Sequence, residues 1–319
     1  MSKIVYVTGC LGFIGAYVTE ACLDQGWYVV GVDKMTYAAQ PHKLEEFNRY
    51  GQHFKFIKSD INDLTTLHDC DYVINTAAES HVDNSIVSSD EFLHSNINGV
   101  HHLLELIRQK ERFKMPTLLH FSTDEVYGDI NEGSHTETDL LKPSNPYSAT
   151  KAAADMLISA WARTFKVPFV IVRPTNNYGI GQYVEKLIPK TCKLLRLGKK
   201  IPLHNHGKPK RVWLHAKDTA NAVITIVNSG VQNEIFNIGG DTELPNIEVV
   251  RKIYGLMTTK AAADNNVEFV CDFSYHRDGQ DVRYSLDDSK LRKLGWSNKC
   301  DLDKELPSVV KYYQDHFIW

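Results

Sequence analysis

The feature that most constrains this chain is an alternation of short and long segments. Ile4–Thr8, Tyr28–Asp33, Phe54–Lys58, Tyr72–Asn75, 117–122 and 169–173 are short β-branched runs that read as six buried strands. Residues 13–25, 88–111 and 146–165 read as helices; the first two follow turn signals, and the third follows Pro143 and Pro146. Parallel strands can be joined only by long crossovers, so this alternation predicts a doubly wound parallel α/β sheet. After Arg173-Pro174 glycine and proline become frequent and the runs shorten, until 302–317 reads as a terminal helix.

Composition closes off several classes. A chain of 319 residues with 24% charged and 43% hydrophobic residues can bury a large core, and a net charge of −3 gives no reason to expect nucleic-acid or membrane partners. No run approaches the ~18 apolar residues of a membrane span. The N-terminal residues lack the pattern of a secretory leader, there is no N-x-[ST] sequon, and the six cysteines are scattered. A cytoplasmic protein with reduced thiols is expected.

The first strand ends in Thr8-Gly9-Cys10-Leu11-Gly12-Phe13-Ile14-Gly15, which opens the first helix. Glycines in such a turn let the backbone approach a pyrophosphate, and the helix N-terminus offers it N–H groups. Asp33 closes the second strand, 21 residues after Gly12. A carboxylate there accepts ribose hydroxyls and repels a 2′-phosphate, so NAD is expected over NADP. No Gly-Lys-Ser/Thr ending follows, which argues against an NTPase.

Tyr147 and Lys151 share a helix face, being four residues apart in Tyr147-Ser148-Ala149-Thr150-Lys151, shortly after Ser122-Thr123 ends the fifth strand. Free tyrosine titrates near ~10, and a neighbouring ammonium favours the phenolate, so Lys151 is expected to lower Tyr147. Tyr147 then serves as base for a hydroxyl whose carbon loses hydride.

Together these features resemble the extended short-chain dehydrogenase/reductase superfamily over essentially the whole chain. The matching motifs are the glycine loop, Asp33, Asp60, Ala77-Ala78, Asn96, Ser122-Thr123 and Tyr147-x-x-x-Lys151. The resemblance implies a Rossmann domain over 1–175, with 212–238 returning to it, and a smaller mixed α/β nucleotide-sugar domain over 176–319. It implies a cofactor site of Gly9, Gly12, Phe13, Ile14, Gly15, Asp33, Lys34, Thr36, Asp60, Ile61, Ala77, Ala78, Ser95, Asn96, Tyr147, Lys151 and Asn177. It gives the Thr123 hydroxyl the reacting sugar oxygen.

Within that superfamily, Thr123-Asp124-Glu125-Val126-Tyr127-Gly128 discriminates. Removing water across C5–C6 of a hexose needs a base at C5 and an acid at O6, and oxidation at C4 first acidifies the C5 proton. Two adjacent carboxyls serve if their surroundings push their pKa values apart. The stretch resembles the Thr-Asp-Glu signature of the dTDP-glucose 4,6-dehydratase family, as do Ala77-Ala78-Glu79-Ser80-His81-Val82-Asp83, Arg173-Pro174-Thr175-Asn176-Asn177-Tyr178-Gly179, Glu185-Lys186-Leu187-Ile188-Pro189 and Asn237-Ile238-Gly239-Gly240. That resemblance makes Glu125 the base and Asp124 the acid. The product is a 4-keto-6-deoxy sugar from dTDP- or UDP-glucose, with hydride returned to C6. It lines the nucleotide-sugar site with Ser80, Thr123, Asn176, Lys186, Leu187, Pro202, His204, Arg211, Asn246 and Arg277, and it implies a homodimer. Departures from the family pattern are Cys10 in the glycine loop, Ile180-Gly181, and the 277–283 run, the last two where the family meets the nucleotide.

His204-Asn205-His206 and His101-His102 lack the further ligands of a metal site, so no metal is expected. Two other readings stay open: a 4-epimerase or decarboxylase of the same superfamily, and a non-catalytic NAD-sensing scaffold. Small residues are expected after Ser-Thr in an epimerase, and a degraded Tyr/Lys pair in a scaffold.

Overall fold

The computed structural model describes residues 2–258, 267–274 and 281–316. Twelve strands occur among them: β1 (Ile4–Thr8), β2 (Tyr28–Asp33), β3 (Phe54–Lys58), β4 (Tyr72–Asn75), β5 (Thr117–Phe121), β6 (Phe169–Pro174), β7 (Asn176–Tyr178), β8 (Ile201–Pro202), β9 (Lys210–His215), β10 (Glu234–Ile238), β11 (Thr242–Pro245) and β12 (Cys271–Asp272). Seven of these form one sheet in the order β10-β6-β5-β4-β1-β2-β3, every pair parallel. The expected doubly wound sheet is thus present, and its strand order reverses between β1 and β4, where such sheets open a crevice at their carboxyl ends.

Alternation along the strands divides the core. Val5 and Val7 face one side with Val29, Ile74, Leu119 and Val172, packing under helices Phe13–Asp24 and Ala216–Ser229. Tyr6 faces the other with Val30, Val73, Leu118 and Ile171, under Gly99–Arg108 and Pro146–Phe165. Both faces are covered, which is why the strands read as continuous apolar runs.

The helix expected at 88–111 is interrupted. A turn Asp90–Phe92 leads into a π-helical stretch Leu93–Asn98 and then Gly99–Arg108. The wide stretch carries Asn96, whose amide bonds outward to Glu79 and Thr150. Gly99 lies so close to Ile61 that a Cβ would come within 2.3 Å of its Cδ1.

Beyond β6, the mixed sheet β11-β9-β7 has β9 at its centre, parallel to β7 and antiparallel to β11. Residues 212–215 therefore belong to this small sheet, and the return to the main sheet begins at helix Ala216–Ser229 and ends in β10 beside β6. Helices Leu187–Arg196, Asn246–Met257 and Leu302–Asp315 pack through Ile188, Val249, Ile253, Leu306 and Val310. The terminal helix runs to Asp315; Phe317 lies outside the described residues.

Candidate active site

β1 ends in a turn that only small residues allow. Gly9 has φ +71, and a Cβ there would sit 2.7 Å from the Ala77 nitrogen. A Cβ on Gly15 would lie 1.9 Å from the Gly9 carbonyl, whereas one on Gly12 would meet that carbonyl at 3.2 Å and nothing nearer. Gly9 and Gly15 thus serve close packing, and Gly12 leaves an open approach. It precedes helix Phe13–Asp24, whose first turn has no side-chain cap. Uncapped N–H groups beside a flat glycine surface fit a pyrophosphate.

Asp33 stands at the end of β2, its Oδ2 accepting from the Leu11 N–H at 2.9 Å and its Oδ1 from that of Met35 at 2.7 Å. Each oxygen keeps capacity for a ribose hydroxyl. Asp33 shares a cavity with Gly9, Gly12, Lys34, Thr36, Asp60, Ile61, Ala77, Ala78 and Ser95. An adjoining cavity is lined by Phe13, Ile14, Gly15, Tyr147, Lys151 and Asn177. These surfaces fit NAD. Asn96 lines neither cavity: it is wholly buried, bonding the backbone of Glu79 and the Thr150 hydroxyl, and so braces the wall.

Thr123, Asp124 and Glu125 leave the end of β5 in a 3-10 turn, Asp124–Tyr127, and enter the same cavity as Tyr147 and Lys151. Thr123 Oγ1 donates to Asp124 Oδ1 at 3.2 Å and accepts from the Glu125 N–H at 3.3 Å. Thr175 Oγ1 donates to Asp124 Oδ2 at 3.0 Å. Burial, reinforced by Glu125, pushes the Asp124 carboxyl up to about 7. Burial also raises Glu125, but Arg211 and Asn145 oppose the rise and favour its anion. The two neighbouring carboxyls thus differ in the company they keep.

Helix Pro146–Phe165 brings Tyr147 and Lys151 in. Asn145 caps it through a reciprocal box with Ser148, and Pro146 occupies its first position. Thr123 is the neighbour that favours the Tyr147 phenolate, against burial and the acidic pair. The expected lowering of Tyr147 is not what the residues around it produce. Burial first, then the Glu125 and Asp124 charges, raise the phenol, while burial pushes Lys151 down to about 8. Lys151 is not the dominant neighbour of that phenol; the acidic pair is.

A third cavity continues from the acidic pair. Ser80, Glu125, Asn176 and Lys186 line both, and Leu187, Pro202, His204, Arg211 and Asn246 line the far part. Lys186 Nζ donates to the Ser80 carbonyl at 2.8 Å across the cleft. Arg211 lies over the Tyr284 ring, 4.3 Å from its centre, with Nη2 donating to the Asp281 carbonyl at 3.0 Å. Arg277 lies outside the described residues. Among the described residues no group of three His, Cys, Asp or Glu is placed to hold a metal ion.

Sequence reasoning missed Asn145 and Thr175, which hold Glu125 and Asp124, and Asp281 and Tyr284 beside Arg211. A signal existed for Asn145, a good cap residue directly before Pro146. Thr175 is 51 residues from Asp124, and nothing local joins them.

The family model described as GDP-mannose 4,6 dehydratase matches residues 6–308. The dTDP-glucose 4,6-dehydratase of Neisseria meningitidis is 39% identical over 342 aligned positions, covering 100% of this chain and 95% of that one. The low-salt glycan biosynthesis protein Agl12 of Haloferax volcanii is 37% identical over 314, covering 97% and 98%. In structure, the dTDP-glucose 4,6-dehydratase DesIV of Streptomyces venezuelae, solved with NAD and TYD bound, superposes with a TM-score of 0.90 at 32% identity, covering 98% and 97%.

Proposed function

The chain belongs to the GDP-mannose 4,6-dehydratase family, and we infer from its site that it is an NAD-dependent nucleotide-sugar 4,6-dehydratase acting on dTDP- or UDP-glucose. The observation that carries the reading is the Asp124–Glu125 pair in one cleft with Thr123 and Tyr147, its two carboxyls held by different partners.

NAD, which Gly12 and Asp33 would hold at the turn that Gly9 and Gly15 keep tight, would supply a hydride acceptor for C4 and a hydride donor for C6. The rest is done by side chains. Thr123 orients the C4 oxygen and Tyr147 takes its proton, with Lys151 one helical turn away. The 4-keto group acidifies C5, and Glu125 removes that proton. Asp124, whose carboxyl holds its proton up to about 7, gives it to the departing C6 hydroxyl. Lys186 and Arg211 suit the diphosphate, as cations on the cavity that continues from Glu125. Residues 1–175 with 216–238 hold the cofactor, and the remainder holds the nucleotide sugar.

The same reading carries a homodimer in the cytoplasm. Half-exposed apolar side chains such as Leu93 and Met156, on neighbouring helical segments, support a second copy docking there. No helix among the described residues is long and apolar enough to cross a membrane.

Incubation with dTDP-glucose, UDP-glucose and GDP-mannose, followed by the 4-keto chromophore in base, tests the reading. A keto sugar from one of them is expected. A 4-epimer with no keto sugar would overturn it.

A further inference from the structure

Under Lys151 runs a row of buried polar side chains that the reaction as described does not use. Lys151 Nζ lies 3.4 Å from His120 Nε2, His120 Nδ1 lies 3.1 Å from Asn75 Nδ2, and Asn75 Oδ1 accepts from Thr8 Oγ1 at 2.6 Å. Their exposures are 2%, 0%, 1% and 0%, so no solvent shares these bonds. Thr8, Asn75 and His120 are direct partners across β1, β4 and β5, so all three point to the sheet face that helix Pro146–Phe165 covers. The rest of that face is apolar, with Tyr6, Val73, Leu118 and Ile171 in its core. An imidazole there is costly unless it is fully bonded.

We propose that His120 is a positioning residue for the oxidation: its Nε2 is the acceptor that keeps the Lys151 ammonium in place, and its tautomer is linked to the charge Lys151 carries. The inference rests on Tyr147 being the base.

The hydrogen-bond directions carry the linkage. With Asn75 donating to Nδ1, the ring proton sits on Nε2 and faces Lys151, a pairing that suits a neutral amine. Half a turn of the Asn75 amide, with Thr8 as acceptor, moves the ring proton to Nδ1 and opens Nε2 to an ammonium. Among the described residues, His120 Nε2 is the hydrogen-bond partner recorded for Lys151. The other charge acting on Lys151 is Asp155, one turn along the helix. Its Oδ2 is engaged by Ser122 and Arg173, and its Oδ1 has no hydrogen-bond partner. Lys151 is in turn the charge that acts on His120. Burial pushes His120 well below its ordinary value and Lys151 down to about 8, so the ring stays neutral where Lys151 titrates.

Removing the acceptor therefore makes Lys151 easier to deprotonate, and the rise that burial and the acidic pair impose on Tyr147 is then opposed by less ammonium charge. In the NAD-loaded enzyme, His120→Phe should move the acid limb of the kcat profile up by about one pH unit, a fall of about tenfold on that limb that recovers at alkaline pH. KM and NAD content should hold, and His120→Asn, which restores an amide acceptor, should lie between. A uniform fall in kcat with an unmoved limb overturns the proposal and marks His120 as structural. Should His120→Phe not fold, imidazole ¹⁵N shifts of the wild-type enzyme decide: the ring proton is expected on Nδ1 at low pH and on Nε2 once Lys151 is neutral, and a tautomer constant across that titration overturns the proposal. Tyr147→Phe separates the two readings. If that variant still turns over, the base assignment falls and this proposal with it. If it is dead while the His120→Phe limb stays put, only this proposal falls.

Discussion

Asn145 Nδ2 donates to Glu125 Oε2 at 3.2 Å while its Oδ1 accepts from the Ser148 N–H at 2.9 Å. One amide therefore caps the helix that carries Tyr147 and holds the carboxylate assigned to C5. Asn145→Ala should lower stability by about 1 kcal/mol as a lost cap. It should also lower kcat by on the order of tenfold, because Glu125 loses its orientation. Asn145→Asp should recover most of the stability but not the rate, since it caps without donating to Glu125. Urea melts and initial rates on the same preparations check both parts.

Asp124→Asn should reduce water loss by about 10²–10⁴-fold, the usual contribution of a positioned acid. Proton abstraction by Glu125 is left intact, so C5 should still exchange with deuterated solvent. Mass spectrometry of recovered substrate reads this directly; no exchange would mean that Asp124 acts earlier than elimination.

The same residue sets a stability profile. Its folded pKa of about 7 lies above the ordinary carboxylate value of about 3.9, so its burial costs nothing below that lower value. The cost grows as pH rises and is complete above about 7. Asp124→Asn should therefore leave Tm unchanged at pH 3.5 and raise it at pH 8, as calorimetry at the two values would show.

Tyr147→Phe removes the phenolic oxygen from a residue 8% exposed and keeps the ring. Turnover should fall by about 10²–10⁴-fold while the NAD carried through purification stays the same. An unchanged rate would remove Tyr147 from the reaction.

The glycines of the loop should separate by role. Gly15→Ala forces a Cβ to 1.9 Å from the Gly9 carbonyl and should destabilise the protein by about 2 kcal/mol or more, with or without cofactor. Gly12→Ala meets the same carbonyl at 3.2 Å, so the fold should hold while affinity for NAD drops. Melts with and without added NAD distinguish the two.

What could be read from the chain followed from local physics. β1 to β6 showed as apolar runs because both sheet faces are covered, and Tyr147 and Lys151 showed as a pair because four residues make about one helical turn. Gly9 and Gly15 were legible because few other residues survive such contacts. What stayed hidden depends on distant segments meeting. Thr175 reaches Asp124 from the next strand end, and the row from Thr8 to Lys151 exists only through strand register. The sign of the shift at Tyr147 also needed three dimensions. The sequence shows a lysine one turn away, but not that Glu125 and Asp124 share the phenol's cavity and raise it. The break in the helix at 88–111 falls where Asn96 bonds across to Glu79, which no periodicity announces.

Since all seven strands of the main sheet are parallel, Gly9, Asp33, Ala77, Ser122 and Thr175 come to one edge, each just beyond or at the last residue of its strand. The apolar side chains that hold the fold lie behind them, and Val126 and Tyr127 of the acidic turn form a small cluster of their own, apart from the two that fill the sheet. Heredity can therefore treat the two parts separately. A lineage can exchange a few residues after Phe121, trying one reaction after another, while inheriting an unaltered scaffold and cofactor grip. The architecture makes new chemistry a short mutational walk.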